Sequence, residues 1–157
     1  MAKNTSKTKE KIGPATIVNR RAAHEYEFLD TYEAGMVLVG SEVKSIFLGR
    51  ASLTDAYCRI SNNELFLFNA DIEPYANARH YVHERRRDRK LLLHRREITQ
   101  IYRKVDEKGL ALIPYKIYFK GGKAKIEIAV ARGKKTYDKR ETLKSREMQR
   151  DLERELS

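Results

Sequence analysis

The chain reads as a mainly β protein: a closed antiparallel barrel with two or three short helices and a basic C-terminal tail. Three observations carry that expectation. Period-2 alternation of apolar and polar residues recurs between Thr16 and Ala131. Two tight-turn signals, Ser61-Asn62-Asn63 and Gly121-Gly122, sit between strand-like runs. From Arg132 onward the alternation stops and a charge-dense segment begins. Five to seven strands in so small a body hide their edges best by closing on themselves.

The elements follow in order. Residues 1–13 carry Lys3, Lys7, Lys9 and Lys11 without the apolar stretch of a signal peptide, so a disordered basic arm is expected there. A single folded domain is expected over 14–131 and a tail over 132–157. In Glu25 to Glu33, Tyr26, Phe28 and Tyr32 fall on one parity and Glu25, Glu27, Thr31 and Glu33 on the other, the pattern of a half-buried strand. Ala34-Gly35 is expected to turn the chain into a short strand at Met36 to Val39. Gly40-Ser41 then opens a helix in which Val43, Ile46 and Phe47 share a face, with Gly49 placed to end it.

Asp55 to Ile60 and Glu64 to Asn69 form a hairpin, because Asn tolerates the left-handed backbone its turn requires. Ile72 to Lys90 shows no periodicity and reads as a loop. Leu91 to Val105 has helical spacing at Leu91, Ile98, Ile101, Tyr102 and Val105, with Gly109 marking its end. Leu110 to Ala131 is a hairpin about Gly121-Gly122. Pairing outward matches Phe119 with Ala124, Ile117 with Ile126, Tyr115 with Ile128 and Ile113 with Val130 on a core face. The other face matches Lys120 with Lys123, Tyr118 with Lys125 and Lys116 with Glu127. A barrel of this size and content suggests the oligonucleotide-binding type, a frequent RNA platform.

Composition points the same way. The 33 Lys and Arg residues against 22 Asp and Glu leave a net charge of +11, which fits a polyanionic partner. No apolar run approaches the roughly 18 residues of a membrane span. Cys58 is the only cysteine, so an intramolecular disulfide and a thiolate metal cluster are both excluded, and a reducing cytoplasm is the expected setting.

Three basic groups stand out. Lys120 opposite Lys123 is unfavourable by a few tenths of a kcal/mol up to about 1. A phosphate across both would relieve that, so the face carrying Lys116, Tyr118, Lys120, Lys123 and Lys125 is a candidate RNA surface; its alternative is an ordinary solvated face. A second group interleaves Arg79, Arg85, Arg86, Arg87, Arg89, Lys90, Arg95 and Arg96 with His80, Tyr81, His83 and His94. Guanidiniums both fork onto phosphates and stack on bases, which suits RNA. His80 and His83 lack a partner at metal-ligand spacing, so no metal is expected. A third group is Asn19, Arg20, Arg21 and His24, where Asn19 and His24 either read base edges or cap local backbone. Glu33 is either simply exposed or accepts from a base amino group or an arginine.

No nucleophile with a base, phosphate-cradling glycine motif or metal set is present in the sequence, so no enzyme and no cofactor are expected. In the tail, nine Lys and Arg residues accompany only Leu143, Met148, Leu152 and Leu156 as large aliphatics. So little apolar surface predicts disorder until an anionic partner organises the segment.

Six segments together carry a resemblance: Asn19-Arg-Arg-Ala-Ala-His-Glu-Tyr26, Tyr32-Glu-Ala-Gly35, Gly40-Ser-Glu-Val-Lys-Ser45, Arg89-Lys-Leu-Leu-Leu-His94, Tyr118-Phe-Lys-Gly-Gly122 and Ala131-Arg-Gly-Lys-Lys-Thr-Tyr-Asp-Lys-Arg-Glu141. In this order they resemble the SsrA-binding protein (small protein B) family of bacterial trans-translation, across almost the whole chain. The resemblance implies a barrel that binds the tRNA-like domain of transfer-messenger RNA and accompanies it, with elongation factor Tu, to stalled ribosomes. It implies no catalysis. Asn19, His24, Glu33, Leu92, His94 and Lys125 would belong to the RNA-binding body. Lys134, Lys135, Tyr137, Asp138, Lys139 and Arg140, with Lys144 and Arg146 available to phosphates, would act in the small-subunit decoding centre and the empty messenger channel, where the tail becomes helical. Phe47 stands where the family commonly has a basic residue, so packing is expected there. The rival is a sequence-tolerant single-strand RNA binder or chaperone on the same barrel.

Overall fold

The computed structural model describes residues 13–78, 82–134, 150 and 154. The elements are β1 (Ile17–Val18), α1 (Arg20–Glu25), β2 (Tyr26–Met36), α2 (Gly40–Phe47), β3 (Ala51–Ser52), β4 (Tyr57–Ser61), β5 (Glu64–Phe68), β6 (Asp71–Ile72), β7 (Arg89–Leu92), α3 (Arg95–Lys108), β8 (Ala111–Lys120) and β9 (Lys123–Gly133). Seven strands make one antiparallel sheet in the order β1-β8-β9-β2-β7-β5-β4, and β3 pairs with β6 apart from it.

The turns explain the pairing. Asn62 and Asn63 both take positive φ, 51° and 62°, and join β4 to β5 by two residues. Gly121 and Gly122 do the same between β8 and β9 at 58° and 75°. Such turns match the right-handed twist of the flanking strands. The sheet's inner face, with Ile17, Ala34, Leu65, Leu67, Leu91, Ile117, Ile126, Ile128 and Val130, encloses one core with Ile46 of α2 and Ile101 of α3. Phe47 packs edge-on against Phe119, ring centroids 5.8 Å apart, as its apolar character led one to expect.

The expected closed barrel is corrected to a sheet whose ladder stays open. Its end strands, β1 and β4, do not pair with each other among the described residues. The reason lies in β1, which is two residues long and breaks into α1 at Asn19, too short to bridge the gap. Between β4, β8 and α3 runs a groove of about 520 Å³ lined by Cys58, Ile60, Tyr102, Val105 and Leu112, among others.

Four other expectations change. Ala34-Gly35 does not turn the chain: β2 runs through both to Met36, pairing with β9 and β7, and Val37 to Val39 are not a strand. Leu91 and Leu92 belong to β7, not to a helix, because Leu91 pairs with Leu65 and Met36. Helix α3 starts only after His94 and ends at Gly109 in the left-handed conformation. The stretch read as a loop therefore contains the start of β7. Finally, the β8–β9 register matches expectation from Lys120 to Lys116, then shifts between Pro114 and Lys116. Pro114 has no N–H to give the ladder, and Tyr115 instead accepts from the Asn19 N–H at 2.7 Å. Beyond this bulge Pro114 meets Ile128 and Ile113 meets Ala129, so Leu112 takes the core position opposite Val130. Ile113 lies on the outer face, in a second small cluster with Ala22 of α1 and Ala131.

Candidate nucleic-acid interface

The outer face of the sheet has two ends. At one end α1 covers Ile113 and Ala131, with Arg20, Arg21 and His24 exposed on it. Toward the Gly121-Gly122 turn the face is uncovered. Register there places Lys116, Glu127 and Glu33 in one row across β8, β9 and β2. The next row is Tyr118, Lys125, Gly35 and Leu92, across β8, β9, β2 and β7. Lys120 and Lys123 flank it. Six residues of β9 separate Ala131 from Lys125, about 20 Å at strand rise, so the α1 cations and this cluster share a face at a distance.

Glu33 sits at the centre of the cluster. Its carboxylate accepts from the Tyr118 hydroxyl and from Lys120 Nζ, the latter at 3.5 Å. The Tyr118 hydrogen bond, with Lys120 and Lys125 nearby, holds the Glu33 carboxyl below its ordinary range. Partial burial, then the same hydrogen bond, pushes the Tyr118 phenol up to about 12. Lys116 lies over the Tyr118 ring, 5.6 Å from its centroid, and pairs with Glu127 at 3.2 Å. Lys120 thus offsets its opposition to Lys123 by turning to Glu33. Lys123 is exposed and has no carboxylate partner among the described residues.

The sequence reading missed Gly35. A Cβ there would stand in van der Waals contact with both, 3.4 Å from Leu92 Cβ and 3.8 Å from Lys125 Nζ, which places Gly35 between the leucine and the lysine. Leu92 is 52% exposed, an apolar side chain on a cationic face. Together Glu33, Gly35, Leu92, His94, Glu97 and Lys125 line a concavity of about 500 Å³. Of the predicted residues, the structure gathers Glu33, Lys116, Tyr118, Lys120, Lys123, Lys125, Leu92 and His94.

Others stand elsewhere. Asn19 is buried: it accepts from Ala22 N–H at 3.2 Å and donates to the carbonyls of Leu53 and Pro114 at 3.1 and 3.0 Å. It therefore caps α1, the second of its two sequence readings. Arg21 is exposed but tied to Glu25 at 2.9 Å.

Arg89 is corrected outright. Its side chain is fully buried, bonded to Glu42 and to the carbonyls of Ala70, Arg87, Glu84 and Arg85, so it faces no ligand. Burying a guanidinium requires such a set of acceptors. Its neighbours are engaged too: Arg87 with Glu42, Arg85 with Asp71, Arg86 with Asp55 and Asn69, and Lys90 with Glu64 at 2.9 Å. His83 is buried, one ring nitrogen 2.9 Å from Ser41 Oγ and the other 2.9 Å from the Ile72 carbonyl. Arg79, His80 and Tyr81 lie outside the described residues.

In the tail, Lys134 donates its N–H to the Glu25 carbonyl at 2.9 Å, and its Nζ lies 3.5 Å from the Ala23 carbonyl. Lys135, Tyr137, Asp138, Lys139, Arg140, Lys144 and Arg146 lie outside the described residues.

A mainly β body whose two neighbouring strands β8 and β9 carry four lysines around Glu33 of β2 defines a nucleic-acid-binding class of protein. The SmpB protein family model matches residues 16–157. An SsrA-binding protein of Solidesulfovibrio magneticus is 53% identical over 140 residues, covering 89% of this chain and 91% of its own. One of Pelotomaculum thermopropionicum is 52% identical over 138 residues, covering 88% and 90%. A solved chain described as "tmRNA-SmpB: a journey to the center of the bacterial ribosome" is 47% identical, with a TM-score of 0.65, over 77% of this chain and 85% of that one. The chain belongs to the SmpB protein family.

Proposed function

We propose that this chain binds the tRNA-like domain of transfer-messenger RNA (SsrA RNA) and delivers it to stalled ribosomes for trans-translation. The observation that carries this reading is the row Tyr118, Lys125, Gly35 and Leu92 with Glu33 beside it, built from the β8–β9 hairpin and two strands distant from it in sequence, β2 and β7. Lysines supply phosphate contacts, and Glu33 and Leu92 supply a polar and an apolar contact that phosphates alone do not need. The names of the relatives and of the solved chain support the RNA and the ribosome as partners.

In the same reading the body acts as an oligonucleotide-binding-type platform, Arg20, Arg21 and His24 extend the RNA surface, and elongation factor Tu joins the delivery complex. The segment from Lys134 onward, with Lys135, Tyr137, Asp138, Lys139, Arg140, Lys144 and Arg146, enters the decoding centre and empty messenger channel. The protein works in the cytoplasm and itself makes and breaks no bond.

The test compares the full chain with a version truncated after Lys135, on transfer-messenger RNA and on unstructured RNA of equal length, at about 150 mM salt, where non-specific contacts weaken. Both versions are expected to prefer the structured RNA by about a hundredfold. Equal affinity for the two RNAs would replace this reading with a general single-strand binder.

A further inference from the structure

The hairpin of β4 and β5 carries a surface that the lysine rows do not use. Cys58, Leu65 and Leu67 point into the core, so Tyr57, Arg59, Phe66 and Phe68 lie on the outer face. Register sets Tyr57 opposite Phe68, and Arg59, Phe66 and Lys90 in one row across β4, β5 and β7. The rings of Tyr57 and Phe68 are stacked, centroids 5.3 Å apart with 17° between their planes, and Phe66 follows at 6.3 Å.

Solvent-facing strand positions ordinarily carry polar residues, yet three aromatics occupy this one. Tyr57 is 45% exposed, while Phe66 and Phe68 are half-buried. The cations beside them differ. Arg59 is exposed and has no carboxylate partner among the described residues, whereas Lys90 shares its ammonium with Glu64. The patch also continues the lysine face: Leu91 pairs with Leu65, which puts Leu92 next to Glu64, so Leu92 borders both. Four strand spacings, about 19 Å, separate Lys125 on β9 from Arg59 on β4 along the sheet.

We propose that Tyr57, Arg59, Phe66, Phe68 and Lys90 form a second RNA subsite, for unpaired nucleotides, contiguous through Leu92 with the Glu33–Lys125 cluster. Aromatic faces take bases that are free to leave a stack, and a paired helix keeps its bases hidden. Arg59 adds a guanidinium that can lie on a base or fork onto the adjoining phosphate. The inference rests on the RNA reading above for its ligand class and adds a separate place and a separate kind of RNA.

The experiment measures anisotropy of a labelled twelve-residue oligouridylate and of the tRNA-like domain with the full-length chain and with Phe66→Leu, Arg59→Gln and Lys125→Gln. Phe66→Leu keeps an apolar side chain and removes the ring; circular dichroism checks its fold, and the surface change Arg59→Gln carries the test if that variant unfolds. Each of these two is expected to weaken oligouridylate about tenfold. Arg59→Gln also lowers its salt slope by about 0.7. The ratio of oligouridylate to tRNA-like-domain affinity falls at least about fivefold in both and rises in Lys125→Gln. No binding of oligouridylate by the parent, or undiminished binding by folded Phe66→Leu and Arg59→Gln, overturns the subsite. Weak binding of the tRNA-like domain beside ring-dependent oligouridylate binding would instead overturn the functional reading and leave the subsite standing.

Discussion

Arg89 of β7 closes on Glu42 of α2, 47 residues earlier in the chain, with neither side chain exposed to solvent. Arg87 reaches the same carboxylate, and Glu42 accepts in addition from the Val39 N–H at 3.0 Å. One acid thus fastens the start of α2 to the strand that presents Leu92. Burial works against the Glu42 charge, but Arg87, the Val39 N–H and Arg89 together outweigh it and hold the carboxyl below its ordinary range.

Replacing Glu42 by Gln leaves two guanidiniums facing an uncharged amide, one of them buried. A loss of about 3–5 kcal/mol is expected, read from the urea midpoint at neutral pH. Because the folded carboxyl is depressed, its contribution is present above about pH 4.3, the unfolded glutamate value, and lost as pH falls through the folded one. Acid should therefore destabilise the parent more steeply than the variant as pH falls below the ordinary glutamate range. Parallel profiles would show that Glu42 is not the linked group.

Tyr118→Phe removes the hydroxyl that Glu33 accepts from. The Glu33 carboxyl should then titrate higher, toward the ordinary glutamate value, in a side-chain carbonyl NMR titration. An unchanged titration would mean that the lysines alone hold it down.

Lys125→Gln takes the cation from the middle of the four-strand row. Affinity for the tRNA-like domain should fall about tenfold, and the slope of log affinity against log salt should drop by about 0.9. A drop in slope with no change in structured-over-unstructured preference would assign Lys125 to phosphate contact alone.

Asn19→Ala removes a helix cap and leaves the Leu53 and Pro114 carbonyls without this donor. About 2–4 kcal/mol of stability should go with it. Thermal unfolding checks this, and a variant as stable as the parent would return Asn19 to the ligand-facing group.

The local parts of this structure were legible because turn chemistry is local. Gly121-Gly122 fixed the pairing as far as Lys116, and Asn62-Asn63 fixed the other hairpin. Legibility ended at Pro114, whose missing N–H was a readable warning of the Tyr115 bulge that moved Ile113 to the outer face. Arg89 was misread for a different reason: in a run of arginines nothing marks the one whose acid lies 47 residues away. The row from Tyr118 to Leu92 was hidden likewise, since it exists only through the strand order β8-β9-β2-β7. Gly35 looked like a turn because a glycine inside a strand, paired on both sides, has the same letter.

Lys134 ties its N–H to the Glu25 carbonyl at the end of α1. The chain is therefore held as far as Lys134 by the β2–β9 ladder, which ends at Tyr26 and Gly133, and by the carbonyl that closes α1. The anchor at Lys134 and the lysine rows are thus joined by one strand, β9. A glycine inserted between Gly133 and Lys134 would take the Lys134 N–H out of register with the Glu25 carbonyl while leaving each residue of the lysine rows in place.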